Sequence, residues 1–181
     1  VYSEKDPAQL PWGDLDIDVV FECTGLFTRA EEMRKHLQAG ARTVILSAPV
    51  KSSEERSDEP DVITVVHGVN SPEGDVRMIS CASCTTNAIT PVVEIMGRRI
   101  GVRKAIMTTV HAYTSSQKLV DGPSKDMRRG RAGAANLVPT STGAAIATTK
   151  VLTDYQGLFD GVAIRAPVPS GSIADITFAT E

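Results

Sequence analysis

The sequence of 181 residues is 41% hydrophobic and 23% charged, a composition typical of a soluble globular protein with one or two domains. Its net charge of -3 argues against nucleic-acid and membrane-surface partners, because both require a strong positive field. No apolar run is long enough to cross a bilayer. Three cysteines are too few for a disulfide framework and favour a reducing, cytoplasmic compartment.

Apolar runs and one helical pattern alternate through the first half of the chain. Four runs are predicted strands: residues 17–23, 43–48, 62–67 and 76–80. Residues 28–39 are a predicted helix, which Thr28 caps and Gly40 stops. The charged segment 52–60 is expected to form a surface loop. Strand, helix, strand at this spacing is the βαβ signature, so we predict an α/β fold with a parallel sheet.

The pattern changes after Cys84, where we place the domain boundary between residues 1–83 and 84–181. The predicted elements beyond it are a helix over 85–100, a strand over 104–113, a loop over 114–137, a helix over 143–152 and strands over 162–165 and 173–179.

Cys84 lies where a predicted strand gives way to a predicted helix. A helix N-terminus carries unpaired N–H groups and a partial positive charge, which favour the nucleophilic thiolate. Cys81 lies three residues earlier, so the residues also allow a Cys-x-x-Cys redox pair, a zinc site or a buried inert thiol. Zinc is the weakest of these, since four ligands at suitable spacing are lacking, and we predict no metal site.

His111 ends an apolar strand and is a candidate base for a cysteine nucleophile, although such a histidine is more often structural. The basic segment 121–131 would by default be a solvated surface. Arg165, however, is a charge inside an apolar strand and needs a partner or a ligand. Arginine matches phosphate oxygens, and the turn at residues 140–143 opens a helix, so these features suggest a phosphorylated substrate.

Two further turns, at Thr24-Gly25 and at Ser47, follow predicted strands. Ligands of doubly wound sheets bind beyond the carboxyl ends of strands. The Gly-x-Gly-x-x-Gly dinucleotide fingerprint is absent from the sequence, so these turns alone are weak evidence for a cofactor site.

Together these motifs resemble the glyceraldehyde-3-phosphate dehydrogenase family. Residues 82–87, ASCTTN, look like its active-site motif. The similarity also covers residues 22–27 (ECTGLF), 44–49 (VILSAP), 68–70 (GVN), 108–114 (TTVHAYT), 121–124 (DGPS), 139–145 (PTSTGAA) and 164–167 (IRAP).

The resemblance implies that Cys84 is the nucleophile and His111 its activating base. It implies that substrate and phosphate are held by eight residues: Ser83, Thr85, Thr114, Arg129, Arg131, Thr142, Gly143 and Arg165. It implies that part of the NAD site is formed by four: Thr24, Gly25, Phe27 and Ser47.

The implied reaction is the phosphorylating oxidation of glyceraldehyde 3-phosphate to 1,3-bisphosphoglycerate, through a cysteine hemithioacetal and thioester. NAD is the implied hydride acceptor, with NADP left open, inorganic phosphate is the second substrate, and the full-length protein is expected to be a homotetramer. The implied fold is the second half of a doubly wound, parallel-sheet NAD-binding domain followed by the first part of an α+β catalytic domain. The alternatives are an erythrose-4-phosphate dehydrogenase and a non-catalytic fragment, since the chain resembles the middle half of the family's sequence.

Overall fold

The computed structural model describes residues 1–51 and 62–181, so the predicted loop over 52–60 lies outside the described residues. The residues group into two units, Val1–Pro91 and Val92–Glu181. Each unit is built around its own four-stranded sheet.

The first unit contains the predicted parallel sheet. Its elements are β1 (Val19–Glu22), α1 (Ala30–Gln38), β2 (Thr43–Leu46), β3 (Val62–Thr64) and β4 (Met78–Ser80). The strands lie in the order β1-β2-β4-β3, and all three neighbouring pairs are parallel. Met33 of α1 packs on Val44, Leu46 and Met78, which removes apolar surface from water on the face that the helix covers. The predicted α/β fold is confirmed.

The start of α1 differs from the prediction. The helix begins at Ala30 with Arg29 at the N-cap, so the prediction that Thr28 caps it is wrong. The Glu32 carboxylate accepts the Arg29 N–H at 2.9 Å and satisfies a donor that the helix leaves open. Thr28 is instead buried, and its carbonyl accepts the N–H of Lys51. Gly40 has the predicted role, since it follows the helix in the left-handed region with φ +107°.

The second unit contains a mixed sheet. A long helix, α2 (Cys84–Ile100), begins in the first unit and continues into the second. The remaining elements are β5 (Val102–Ala112), β6 (Val138–Thr140), α3 (Ala144–Val151), β7 (Phe159–Ala166) and β8 (Ser172–Thr180). The strand order is β6-β7-β5-β8, with β5 and β7 parallel and the other pairs antiparallel.

Strand β6 was not predicted. It is only three residues long and contains Pro139, which cannot donate to a ladder and is confined to sheet edges such as this one. The predicted loop over 114–137 also contains a short 3-10 helix, Arg128–Gly130.

Within residues 1–51 and 62–181, no helix has the length and apolar character that a membrane span needs. The same ranges contain no group of three or more His, Cys, Asp or Glu side chains placed to hold a metal ion.

Candidate active site

A tight turn connects β4 to α2 and carries the candidate nucleophile. The hydroxyl of Ser80, fully buried at the end of β4, donates to the carbonyl of Ala48 at 2.8 Å and accepts the N–H of Ala82 at 3.2 Å. Ala82 is buried and adopts the left-handed region with φ +56°, which is uncommon for a residue other than glycine. This conformation turns the chain from the sheet into the helix.

Cys84 is the first residue of α2, and its neighbours fix the helix start. The Ser83 hydroxyl accepts the N–H of Thr86 at 3.0 Å and lies 2.8 Å from the Thr86 hydroxyl, so Ser83 is the N-cap. The Asn87 amide donates to the carbonyls of Cys81 and Ser83, at 2.7 and 2.9 Å. The turn is therefore held from both its sheet side and its helix side.

The thiol of Cys84 is exposed at the positive end of α2, with its sulfur 4.0 Å from the Thr85 hydroxyl. The interpretation of Cys84 as a buried, inert thiol is therefore wrong. Cys23 and Cys81 are exposed as well, and no disulfide joins Cys81 to Cys84. An exposed sulfur at a helix N-terminus can attack the electrophilic carbon of a substrate that binds from solvent.

Three of the four residues proposed for the cofactor lie at the carboxyl ends of adjacent parallel strands. Thr24 and Gly25 follow β1, and Ser47 follows β2 and donates its N–H to the Glu22 carbonyl at 3.0 Å. Gly25 has φ +73°, and a Cβ there would meet no atom within 4 Å, so the surface above it is open. The ring of Phe27 packs edge-on against His36, 6.5 Å between centroids.

A buried hydrogen-bonded pair that was not predicted from the sequence lies next to this turn. Nε2 of His36 is 3.1 Å from the Glu22 carboxylate, and both side chains are at most 5% exposed. The Trp12 indole N–H donates to Nδ1 of His36 at 3.1 Å. Glu22 was detectable as a charge within an apolar strand, the same signal that marked Arg165.

In the second unit, the sheet brings His111 and Arg165 together. They are register partners on the parallel strands β5 and β7, and Nη1 of Arg165 lies 3.0 Å from Nδ1 of His111. The carbonyl of Ala112 lies 2.8 Å from Nδ1 and accepts from the same Nη1 at 2.9 Å. Arginine only donates, so its contact requires the lone pair on Nδ1, whereas donation from Nδ1–H to Ala112 leaves the lone pair on Nε2.

The two candidate arginines of the basic segment, Arg129 and Arg131, have different surroundings. Nε and Nη2 of Arg129 both donate to the hydroxyl of Thr140, at 3.1 and 2.8 Å. Thr140 pairs with Ala163, two residues before Arg165 on β7, so Arg129 is tied to the same sheet face as Arg165. Arg131 instead forms an exposed ion pair with Asp121 at 3.2 Å.

The remaining candidates belong to turns. The hydroxyl of Thr142 accepts the N–H of Ala144, and Gly143 is the N-cap of α3. The Thr114 hydroxyl lies 3.0 Å from that of Ser116. These hydroxyls already have intramolecular partners, so a ligand would share or replace those hydrogen bonds.

Comparison with known proteins gives concordant results. Residues 83–181 match the family model described as "Glyceraldehyde 3-phosphate dehydrogenase, C-terminal domain". Proteins named glyceraldehyde-3-phosphate dehydrogenase from Haloarcula vallismortis and Mycolicibacterium smegmatis are 52% and 49% identical over 176 residues each. A protein of that name from Streptomyces coelicolor is 46% identical over 179 residues.

These matches cover 96 to 97% of the chain but 49 to 51% of the three relatives. The chain therefore spans about half the length of the curated relatives it matches.

Proposed function

Because this chain belongs to the glyceraldehyde-3-phosphate dehydrogenase family, we propose that it carries the nucleophile and base of a phosphorylating aldehyde dehydrogenase. The substrate is glyceraldehyde 3-phosphate, with inorganic phosphate as the acyl acceptor. One observation carries the proposal: Cys84 is exposed and is the first residue of α2. Hydrogen bonds of the Ser83 and Asn87 side chains fix the turn in which it lies.

The reaction begins with the Cys84 thiolate. The sulfur attacks the aldehyde carbon, and the resulting alkoxide takes a proton from water to form a hemithioacetal. His111 accepts that hydroxyl proton when hydride leaves the carbon. Bound NAD would serve as the hydride acceptor, and loss of hydride from the hemithioacetal carbon gives a thioester on Cys84. Phosphate then attacks the thioester carbonyl, which releases the acyl phosphate and regenerates the thiolate. The covalent intermediate keeps the energy of oxidation from being lost to hydrolysis.

A general base at position 111 requires an acceptor nitrogen facing the substrate. Donation from Nδ1–H to the Ala112 carbonyl leaves Nε2 as that acceptor. Donation from Arg165 to Nδ1 favours the opposite tautomer. A substrate phosphate that draws the Arg165 guanidinium away would thus release Nδ1 and favour the base form.

The family resemblance assigns the binding of substrate and phosphate to donors in both units. Arg165 and Arg129 lie on one sheet face and supply the strongest donors for phosphate oxygens. Ser83, Thr85, Thr114, Thr142 and Gly143 supply hydroxyl and N–H donors at turns. Arg131 would have to leave its ion pair with Asp121 to take part.

The residues of the first unit fit a dinucleotide. Gly25 presents open space where a Cβ would stand, and Ser47 lies on the neighbouring strand end, the usual place for a cofactor on a parallel sheet. We propose that Thr24, Gly25, Phe27 and Ser47 hold NAD. Residues 1–83 then belong to the cofactor domain and residues 84–181 to the catalytic domain.

We also propose a homotetrameric, cytoplasmic enzyme. One face of the second sheet carries Ile106, Val162 and Ile173, which are 57%, 53% and 69% exposed. Thr108 pairs with Val162, and Val110 with Ile173, so these side chains share a face with the even-numbered residues of β5. An apolar sheet face of this kind supports burial against another subunit.

The test replaces the Cys84 thiol by a hydroxyl in the complete gene product. Cys84→Ser should lower kcat/KM for aldehyde oxidation by about three orders of magnitude or more, since the hydroxyl is a far weaker nucleophile. NAD affinity, measured by calorimetry, should stay within about twofold. Cys81→Ser is the matched control and should keep activity. Dehydrogenase activity retained by Cys84→Ser would end the assignment.

A further inference from the structure

Glu22 is a carboxylate at the end of β1 with donors on both oxygens. Oε2 lies 3.1 Å from Nε2 of His36. Oε1 accepts the backbone N–H of Thr24 at 2.8 Å and, in a short hydrogen bond, the Thr24 hydroxyl. Glu22 is 3% exposed and His36 is 4% exposed. A carboxylate shielded from water is thus satisfied entirely by protein donors.

The partners of His36 fix where its proton lies. The indole N–H of Trp12 can only donate, so Nδ1 of His36 must accept. The ring proton of the neutral imidazole is then on Nε2 and points at Glu22. Three donors therefore converge on the carboxylate, a set that matches its ionised form. We call Trp12, His36 and Glu22 the relay.

The relay ends in the turn proposed to bind the cofactor. Thr24 donates twice to Glu22, and its hydroxyl oxygen accepts the N–H of Leu26 at 3.1 Å. The main-chain carbonyl of Glu22 accepts the N–H of Ser47. One residue thus anchors the turn after β1 with its side chain and the start of the turn after β2 with its backbone.

Stability alone does not account for this arrangement. Burying a charged group is costly, and replacing a buried ionic group by apolar residues of similar volume is often neutral or stabilising. What an apolar residue could not do is hold the Thr24 N–H and hydroxyl in one direction while Gly25 stays open to a ligand.

We infer that Glu22, held by His36, which Trp12 orients in turn, is a positioning residue that preorganises the Thr24-Gly25 turn for the dinucleotide. Glu22 acts through Thr24 and does not itself contact the cofactor. The inference rests on the proposed function, because it assigns a role within the proposed NAD site. Preorganisation raises affinity by removing the cost of ordering the turn when the ligand binds.

The test measures NAD binding to Glu22→Gln in the complete gene product. The amide keeps the shape but replaces one acceptor oxygen by a donor, so it cannot accept from both Thr24 and His36. We expect the Kd for NAD to rise about tenfold, equivalent to about 1.4 kcal/mol. The kcat at saturating NAD should stay within about twofold. In the protein without NAD, the amides of Thr24 and Leu26 should exchange with deuterium faster.

Two further variants separate positioning from stability. Val44→Ala removes fully buried apolar volume from β2 and should lower Tm, with Kd and the exchange of the turn unchanged. Trp12→Phe keeps an aromatic ring but removes the N–H donor to His36. It should raise Kd two- to threefold and gives a readable result even if Glu22→Gln does not fold.

The outcomes separate the positioning role of Glu22 from the proposed function. An NAD Kd within twofold of wild type in both relay variants overturns the positioning role and leaves the proposed function standing. An equal rise in Kd for Val44→Ala also overturns it, because any loss of stability would then suffice. A wild-type protein that neither binds NAD nor oxidises the aldehyde overturns the proposed function and the positioning role together.

Discussion

Ser83 controls the helix start that displays the candidate nucleophile, and its replacement by alanine gives a quantitative prediction. The N-cap bond from the Thr86 N–H to the Ser83 hydroxyl is 3.0 Å long, and its loss costs about 1 kcal/mol. The Thr86 hydroxyl, 2.8 Å from that of Ser83, is fully buried, and leaving it without this partner adds about 1 kcal/mol. Ser83→Ala should therefore lower the free energy of unfolding by about 2 kcal/mol.

Urea denaturation followed by circular dichroism measures this loss, with Ser83→Thr as the matched control. Threonine keeps a hydroxyl at the N-cap and should recover most of the stability. A double-mutant cycle with Thr86→Val isolates the pair of hydroxyls and should give a coupling of about 1 kcal/mol. The reasoning is refuted if Ser83→Ala costs less than about 0.5 kcal/mol, or if Ser83→Thr is as unstable as Ser83→Ala.

Two further substitutions test other contacts. In the complete enzyme, Arg165→Leu should raise the KM for the aldehyde phosphate at least about tenfold and leave the KM for NAD within about twofold, because it removes an arginine from the proposed anion site. Steady-state kinetics with each substrate varied in turn would count against the phosphate role if both constants rose equally. Gly97→Ala should destabilise the chain by about 1–3 kcal/mol in urea, although alanine usually favours a helix, because its Cβ would lie 1.7 Å from the Tyr155 hydroxyl oxygen. In a Tyr155→Ala background the same change should become neutral or stabilising, and a loss of stability there would exclude the clash as the cause.

Local pattern was enough to predict most of the fold. The short apolar runs of the first unit and the helical spacing from residue 85 onward each carry a period that belongs to one type of element. Strand β6 has too few residues to show a period, and Pro139 argues against a strand anywhere but at an edge. The predicted cap of α1 was one residue too early, because the Glu32 carboxylate accepts the Arg29 N–H and makes Arg29 the N-cap.

The position of the candidate nucleophile could be predicted because it depends on consecutive residues. Contacts between segments that are distant in sequence could not be predicted. Cys84 and its helix start could be identified from consecutive residues. The ion pair of Arg131 with Asp121 and the relay from Trp12 join segments whose approach depends on how the chain folds back. A charge in an apolar strand is a local signal of such contacts, and it marks both Glu22 and Arg165.

The backbone at Ala82 restricts which sequences can keep this turn. A left-handed φ of +56° costs a residue with a Cβ about 1 kcal/mol or more, and Ala82 is only 4% exposed, so a larger side chain would meet neighbouring atoms. Glycine would relieve the torsional penalty but add freedom to the unfolded chain, and a β-branched residue would suffer both crowding and strain. Random mutagenesis followed by selection for activity should therefore recover little besides alanine and glycine immediately before Ser83, however permissive the neighbouring surface proves to be.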